Sequence, residues 1–344
     1  GLDAFEGDWF HSAEWDHTQD LSGKRVAVIG SGASSVQLVP QIADKVGSLT
    51  VFQRSAEYLL PKPDYAHFGW EHWAYKNVPG VLKAFRATWW TIGEYVNPAL
   101  VSKWPNALRT AYLAPLFLAS KAQLRLQIRD AELRAKLTPD YTMGCKRILL
   151  SSNYYPALAK DHVDVVRDDI TEIAPNGVVT ADGTKHEVDV IVFATGFQAK
   201  NFVTPMTVSG VDGVDLEHSW AEGPAAYLGM TVTGFPNLFL MYGPNTNFGG
   251  GSIVYILECQ ARYIVDAVRT LDRRSASRVD VRQEAYDAFS EDTQRRLRNS
   301  VWAVGGCTSW YVNDEGKVTN NWPGLMSEYR RKTRKFDSAN YEIS

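Results

Sequence analysis

The sharpest pattern of apolar and polar positions lies between Lys24 and Gln53. Two charged residues, Lys24 and Arg25, give way to the unbroken apolar run Val26-Ala27-Val28-Ile29. Such a run predicts a buried strand. It ends in Gly30-Ser31-Gly32-Ala33-Ser34-Ser35, and Val36-Gln37-Leu38-Val39 opens a helix behind it. A second strand, Leu49-Thr50-Val51-Phe52-Gln53, follows at the spacing of a β-α-β unit.

Elsewhere the pattern changes twice. Pro61-Lys62-Pro63 stops the strand region, and residues 70 to 140 show no period-two alternation. Leu124, Ile128 and Leu133 are spaced as one helical face, with Arg125, Arg129 and Arg134 at polar positions. This predicts a helical insertion. Short β-rich runs return at Val163 to Val166, Gly177 to Thr180 and Val188 to Phe193, with Asp182-Gly183 among the turns. Phe235 to Thr246 reads as another strand ending in a turn. After Gly249 to Gly251, Ser252 is placed to N-cap a helix whose apolar face carries Ile253, Ile256, Leu257, Ile264, Val268 and Leu271. The predicted class is α/β, in about two domains.

The first glycine turn carries candidate chemistry. Gly30 permits a tight turn, and Gly32 has no side chain to keep a pyrophosphate from the backbone. The N–H groups at the helix start then face that anion. Ser35, in the third small position, is small enough for close helix–strand packing. Ser31, Ala33, Ser34 and Gln37 belong to the same candidate cradle. An NAD-binding fold places Asp or Glu about 20 residues past the glycines, to bond the ribose 2′-hydroxyl. Here the strand ends in Gln53-Arg54-Ser55. Arg54 offers a cationic fork suited to a 2′-phosphate, with Ser55 beside it, so NADP is expected.

Composition narrows the function classes. A net charge of −3 gives no electrostatic case for nucleic acid. The longest apolar stretch, around Ala111 to Ala119, is broken by Pro115 and is too short to span a bilayer. Cys145, Cys259 and Cys307 are far apart and odd in number, so no disulfide framework or metal spacing is implied, and reduced thiols in the cytoplasm are expected. Most of the abundant aromatic residues are expected in the core.

Ahead of the glycine turn stands Phe5-x-Gly7-x-x-x-His11-x-x-x-Trp15-Asp16. This segment, followed by the turn, resembles the fingerprint of the Baeyer–Villiger monooxygenases, flavin-containing monooxygenases with two dinucleotide-binding domains. The resemblance implies a division into a linker at 1–22, an NADP-binding domain at 23–193 with a helical insertion at about 70–140, and the C-terminal part of a flavin-binding domain at 194–344. It also implies that the first FAD glycine motif lies upstream of Gly1, so that this chain by itself is expected to retain little FAD. His11 is expected to act either as a structural histidine or at the domain interface.

The same resemblance assigns roles residue by residue. Lys146 and Arg147, which precede the apolar run Ile148-Leu149-Leu150, match the family's pair where NADP meets flavin. Lys146 is implied on the NADP side and Arg147 in catalysis. A guanidinium stays protonated, so it stabilises an anionic attacking species and its anionic adduct with a ketone. Ala194-Thr195-Gly196-Phe197 resembles the family's second marker, with Thr195 and Gly196 close to the cofactor. The Gly243-Pro244-Asn245-Thr246 turn and the helix after Ser252 are implied at the flavin ring, through Asn245 and Thr246. Trp89, Trp90, Phe117 and Leu118 are candidates for an apolar roof over substrate. Ser309-Trp310-Tyr311 resembles a loop that closes over NADP, with Trp310 on the cofactor, and the tail looks most like the hydroxyacetophenone-monooxygenase branch. The implied reaction uses NADPH, FAD and O2 to turn a ketone into an ester or lactone. Oxygenation of a soft nitrogen or sulfur, and a non-catalytic NADP-binding fragment, remain open alternatives.

Overall fold

The computed structural model describes residues 1–198 and 201–344. The chain divides into two compact units. The first comprises Gly1–Asp64, Ala114–Met143 and Arg147–Gln198; the second comprises Tyr65–Leu113, Gly144–Lys146 and Ala199–Ser344.

The chain opens with β1 (Asp8–His11), β2 (Arg25–Ile29), α1 (Ala33–Ile42), β3 (Ser48–Phe52) and the short β4 (Leu59–Leu60). Five helices follow: α2 (Gly69–Asn77), α3 (Val81–Val101), α4 (Asn106–Tyr112), α5 (Ala114–Gln127) and α6 (Ala131–Lys136). Next come β5 (Leu149–Leu150), α7 (Tyr154–Leu158), β6 (Val163–Val166), β7 (Ile170–Ala174), β8 (Gly177–Thr180), β9 (Lys185–Glu187) and β10 (Val190–Phe193). The last part holds α8 (Leu216–Ser219), α9 (Ile253–Arg274), β11 (Val279–Val281), α10 (Gln283–Leu297), α11 (Val301–Val304), α12 (Met326–Lys332) and β12 (Tyr341–Ile343).

The first unit is built on a parallel sheet in the order β1-β10-β2-β3-β6. In its centre Val28 lies opposite Val51, and Ile29 opposite Phe52. Successive side chains point to opposite faces. On one face Val26, Val28, Leu49, Val51, Val190 and Val192 pack with Val36 and Val39 of α1 and with Tyr154, Tyr155 and Leu158 of α7. On the other, Ala27, Phe52 and Ile191 pack with Val178 of β8 and with Phe5. β8 belongs to an antiparallel sheet in the order β7-β8-β9. Burial on both faces is the reason residues 26–29 of β2 and Val190–Phe193 of β10 read as unbroken apolar runs.

Two stretches of this unit differ from a simple reading of the sequence. Residues 1–22, expected as a linker, supply the edge strand β1, with Asp8 opposite Val190 and His11 opposite Phe193. His11 has a structural partner: its Nδ1 accepts the Ala13 N–H at 3.1 Å, and its ring edge meets Phe197. The helical stretch is divided, with α2 to α4 in the second unit and α5 and α6 in the first. Leu124 and Ile128 are buried as their spacing predicts, but α5 stops before Ile128. Asp130 restarts the helix by accepting the Leu133 N–H at 2.6 Å.

In the second unit α9 is the central helix. Tyr263 and Ala267 pack with Val279 and Val281 of β11 and with Phe336 and Tyr341. One turn earlier, Ile256 and Cys259 pack with Trp322, Met326 and Tyr329. Arg296 of α10 grips Glu328 of α12 through two bonds of 2.8 Å. The hydrogen bonds and charge of Arg296 outweigh the burial of Glu328 and hold its carboxyl below the usual range.

Three expectations are corrected in this unit. Phe235 to Tyr242 is not a strand. Pro236 has no N–H to give a ladder, and Asn237 and Tyr242 take φ of 61° and 60°. The apolar side chains there serve packing instead: Phe235 is buried, and Leu238 and Leu240 lie against the same cluster. Ser252 does precede α9, but its side chain makes no cap hydrogen bond. Cys145 and Cys307 are not free thiols; they form a disulfide across 162 residues of sequence. Packing of the 144–145 turn against the end of α11 brings them together, and sequence spacing carries no record of that. Cys259 is free and buried. Among the described residues no helix is long and apolar enough to cross a membrane.

Candidate functional site

In the first unit the carboxyl ends of β2, β3 and β10 carry one group of candidate residues. β2 delivers the chain into Gly30, whose φ is +117°. A Cβ there would lie 2.3 Å from the Ala194 carbonyl oxygen. Glycine is therefore required twice, by conformation and by space. The same contact shows that the Gly30 turn and the Ala194-Thr195-Gly196 segment are neighbours. Thr195 and Gly196 are exposed where β10 ends.

Gly32 differs. Its φ is −74°, and a Cβ there would meet no atom of the chain within 4 Å. It is the N-cap of α1 and brings no side-chain cap. The first intrahelical bond runs from Val36 N to Gly32 O at 3.0 Å. The N–H groups of Ala33, Ser34 and Ser35 precede it and have no intrahelical acceptor. Their partial positive charge faces a surface that Gly32 leaves open, so the turn fits a pyrophosphate.

The neighbours fix this turn. The Ser31 hydroxyl donates to Ser55 O at 2.8 Å, joining the glycine turn to the end of β3. Ser35 is fully buried, with the Tyr154 hydroxyl of α7 toward it, as its small size allows. Gln37 is exposed and its side-chain amide bonds back to Ala33 O at 3.1 Å. Gln53, which sequence reasoning left without a role, is buried and donates to Lys136 O at 2.8 Å. It anchors the strand end from which Arg54 projects. Arg54 is exposed and stands in no ion pair with a described residue. No residue pattern marks Gln53 in the sequence, because its partner is the backbone carbonyl of Lys136.

Arg147 also belongs to the first unit, where it is exposed two residues before β5. The other candidates lie in the second. Lys146 is half-buried. Asn245 and Thr246 are buried, with side chains committed to their own unit. Asn245 Nδ2 donates to Val318 O at 2.8 Å and to Asn321 O at 3.1 Å, and Thr246 Oγ1 donates to Gly243 O at 2.6 Å. These bonds, with Asn245 N donating to Thr319 O at 2.8 Å and Asn247 N to Asn320 O at 2.9 Å, hold the turn before α9 within its own unit. Trp310 is 43% exposed and packs on Tyr311 with ring centroids 4.2 Å apart. Of the four roof candidates, Trp89 and Leu118 are exposed, and Trp90 and Phe117 are half-buried.

No protein-family model matches the chain. Curated relatives do. A Baeyer–Villiger monooxygenase of Pseudomonas aeruginosa is 42% identical over 347 residues, covering 100% of this chain and 64% of that protein. One of Streptomyces coelicolor is 43% identical, covering 100% of this chain and 65% of that protein. An uncharacterised monooxygenase of Mycobacterium bovis is 36% identical and is covered to 68%. The chain belongs to the same monooxygenase family as these three proteins. It spans 64% and 65% of the length of the first two relatives. Among solved structures it matches the OTEMO complex with FAD and NADP, with TM-score 0.83, 26% identity and coverage of 100% of this chain and 72% of that one. It also matches a steroid monooxygenase bound to NADP, with TM-score 0.80, 28% identity and coverage of 100% and 71%. The parallel sheet with its glycine turn is a Rossmann-type frame.

The two glycines of the turn give a direct check on its geometry. Gly30→Ala is expected to destabilise the first unit by about 2 kcal/mol, the scale of a strained backbone position, and to weaken NADP⁺ binding with it. Gly32→Ala is expected to leave the unfolding midpoint unchanged and still weaken NADP⁺ at least tenfold. Thermal unfolding and calorimetric titration of the two variants separate these outcomes. Equal effects of both substitutions on stability would contradict the assigned roles.

Proposed function

We propose that this chain carries the NADPH-binding and flavin-facing residues of a monooxygenase that converts a ketone to an ester or lactone with O2. The observation that carries this reading is the open Gly30–Ser35 turn with Arg54, not a carboxylate, at the end of the neighbouring strand. The N–H groups at the start of α1 bind the pyrophosphate of NADP, and Arg54 with Ser55 binds its 2′-phosphate. Lys146 and Trp310 are assigned to the same cofactor.

FAD, when bound, supplies the oxygen activation. The described residues hold one strand–glycine turn–helix cradle, and its features are those of the NADP site. They offer FAD the Asn245–Thr246 turn and the start of α9, whose free N–H groups favour negative charge on a reduced ring. Arg147 has the chemistry to stabilise the anionic oxygen that develops on the ketone carbon, since it brings a cationic fork of N–H donors. The substrate is a small ketone.

Arg54 supplies the test. NADP⁺ is expected to bind at least tenfold more tightly than NAD⁺, a difference of about 1.4 kcal/mol and within the reach of one charge-assisted pair. Arg54→Ala is expected to remove most of that preference without weakening NAD⁺. Calorimetric titration of both cofactors reads both effects. Equal affinities in the parent chain would remove Arg54 from the role and NADP from the reading.

A further inference from the structure

Two candidate segments of the second unit are joined covalently. Cys145 immediately precedes Lys146, and Cys307 lies three residues before Trp310. Their sulfurs are bonded, with the Cα atoms 6.1 Å apart. The end of α11 is shaped around the buried partner. A Cβ on Gly305 would lie 2.7 Å from Cys145 Cβ and 2.8 Å from its Sγ. Only glycine lets the helix end approach so closely.

The two cysteines differ in how else they are held. Cys145 is fully buried, and the turn it belongs to is wedged against Leu100 of α3 and Val301 of α11. Packing keeps it in place with or without the bond. Cys307 is half-buried, within a stretch from Gly306 to Trp310 that is otherwise exposed or half-buried. That stretch has few other anchors. Asn320 Nδ2 donates to Trp310 O at 3.1 Å, and Ser309 accepts from the N–H groups of Tyr311 and Val312 at 3.4 and 3.2 Å. All of these lie at its Trp310 end, so the disulfide is the main restraint on the other.

We propose that Cys145 and Cys307 are positioning residues: their disulfide holds the Trp310 segment and Lys146 in one arrangement for NADP, and its reduction releases the Trp310 segment. The proposal rests on the assignment of Lys146 and Trp310 to NADP. Reduction takes two electrons and two protons: the S–S bond breaks, two thiols form, and a dithiol reductant becomes its disulfide. Oxidation by a peroxide reverses it. The more accessible Cys307 thiolate attacks the O–O bond and, with one proton, leaves a sulfenic acid and water. The Cys145 thiol then displaces the hydroxyl as a second water, and the S–S bond forms.

The test uses the 344-residue chain in oxidised form, after dithiol reduction, and as Cys307→Ser. Thiol titration in denaturant counts one thiol before reduction and three after it. Reduction is expected to weaken NADP⁺ at least fivefold in calorimetry and to speed chymotryptic cleavage after Trp310 at least tenfold, with far-UV circular dichroism unchanged. Peroxide re-oxidation restores both values. Cys307→Ser matches the reduced chain and does not respond to the dithiol. Three thiols that persist after peroxide treatment would overturn the proposal. Equal NADP⁺ affinity with and without the bond overturns the positioning role and leaves the NADP assignment intact. Binding to neither form overturns both.

Discussion

Arg109→Ala is expected to cost the second unit about 3–5 kcal/mol, because five carbonyls, those of Ala99 and Leu100 buried, lose their donor at once. Arg109 lies in α4 and is 1% exposed. Its guanidinium donates to the carbonyls of Ala99, Leu100, Ser102, Trp104 and Asn299 at 2.5 to 3.3 Å. Four of these acceptors lie at the end of α3 and in the link to α4, where helical bonding has run out. Burial pushes the guanidinium pKa below its ordinary value. Even so, no other side chain offers five donors in a fixed fork. Lysine has three donors on a flexible stem, so Arg109→Lys is expected to recover only part of the loss. Urea unfolding followed by tryptophan fluorescence measures this. Trp9 and Trp15 belong to the first unit and the other nine tryptophans to the second, so the signal reports mainly on the unit that changes. A midpoint within error of the parent would show that the carbonyls find other donors.

Arg109 also marks a boundary on what the sequence discloses. Nothing near it in the chain distinguishes a buried arginine from a solvated one, because its five acceptors are backbone groups without a sequence signature. The β2–Gly30–α1–β3 unit was legible for the opposite reason. Its interactions are local, and each residue type is required by the turn or by burial on both sheet faces. β1 was illegible as a strand because it is a four-residue edge in which Phe10 alone is buried. Phe235 to Tyr242 misled because an apolar run records burial, and irregular chain can be buried as well as a strand. The disulfide lay beyond reach because contact between the 144–145 turn and α11 is a property of packing. At the candidate site, Arg54 was visible through residue type, and Thr195 and Arg147 through the family resemblance. The carbonyl contact of Ala194 with Gly30 and the anchoring by Gln53 were not, since both act through backbone groups.

Arg147 carries the largest functional expectation. In the enzyme extended to the length of its relatives, Arg147→Ala is expected to lower ester formation by ~10²-fold or more, the scale for removing a preorganised anion stabiliser. Its guanidinium is exposed, so its charge is available to a ligand. Flavin reduction by NADPH is expected to continue, because hydride transfer develops no anion on a ketone oxygen. Stopped-flow absorbance at the flavin band reads the first step, and chromatography of the ester reads the second. Arg147→Lys keeps the charge but loses the planar fork, and an intermediate rate is expected from it. A variant that makes ester at the parental rate would end the assignment. One that fails at flavin reduction would place Arg147 with Lys146 as a cofactor-binding residue, and the anion-stabilising role would pass to another donor.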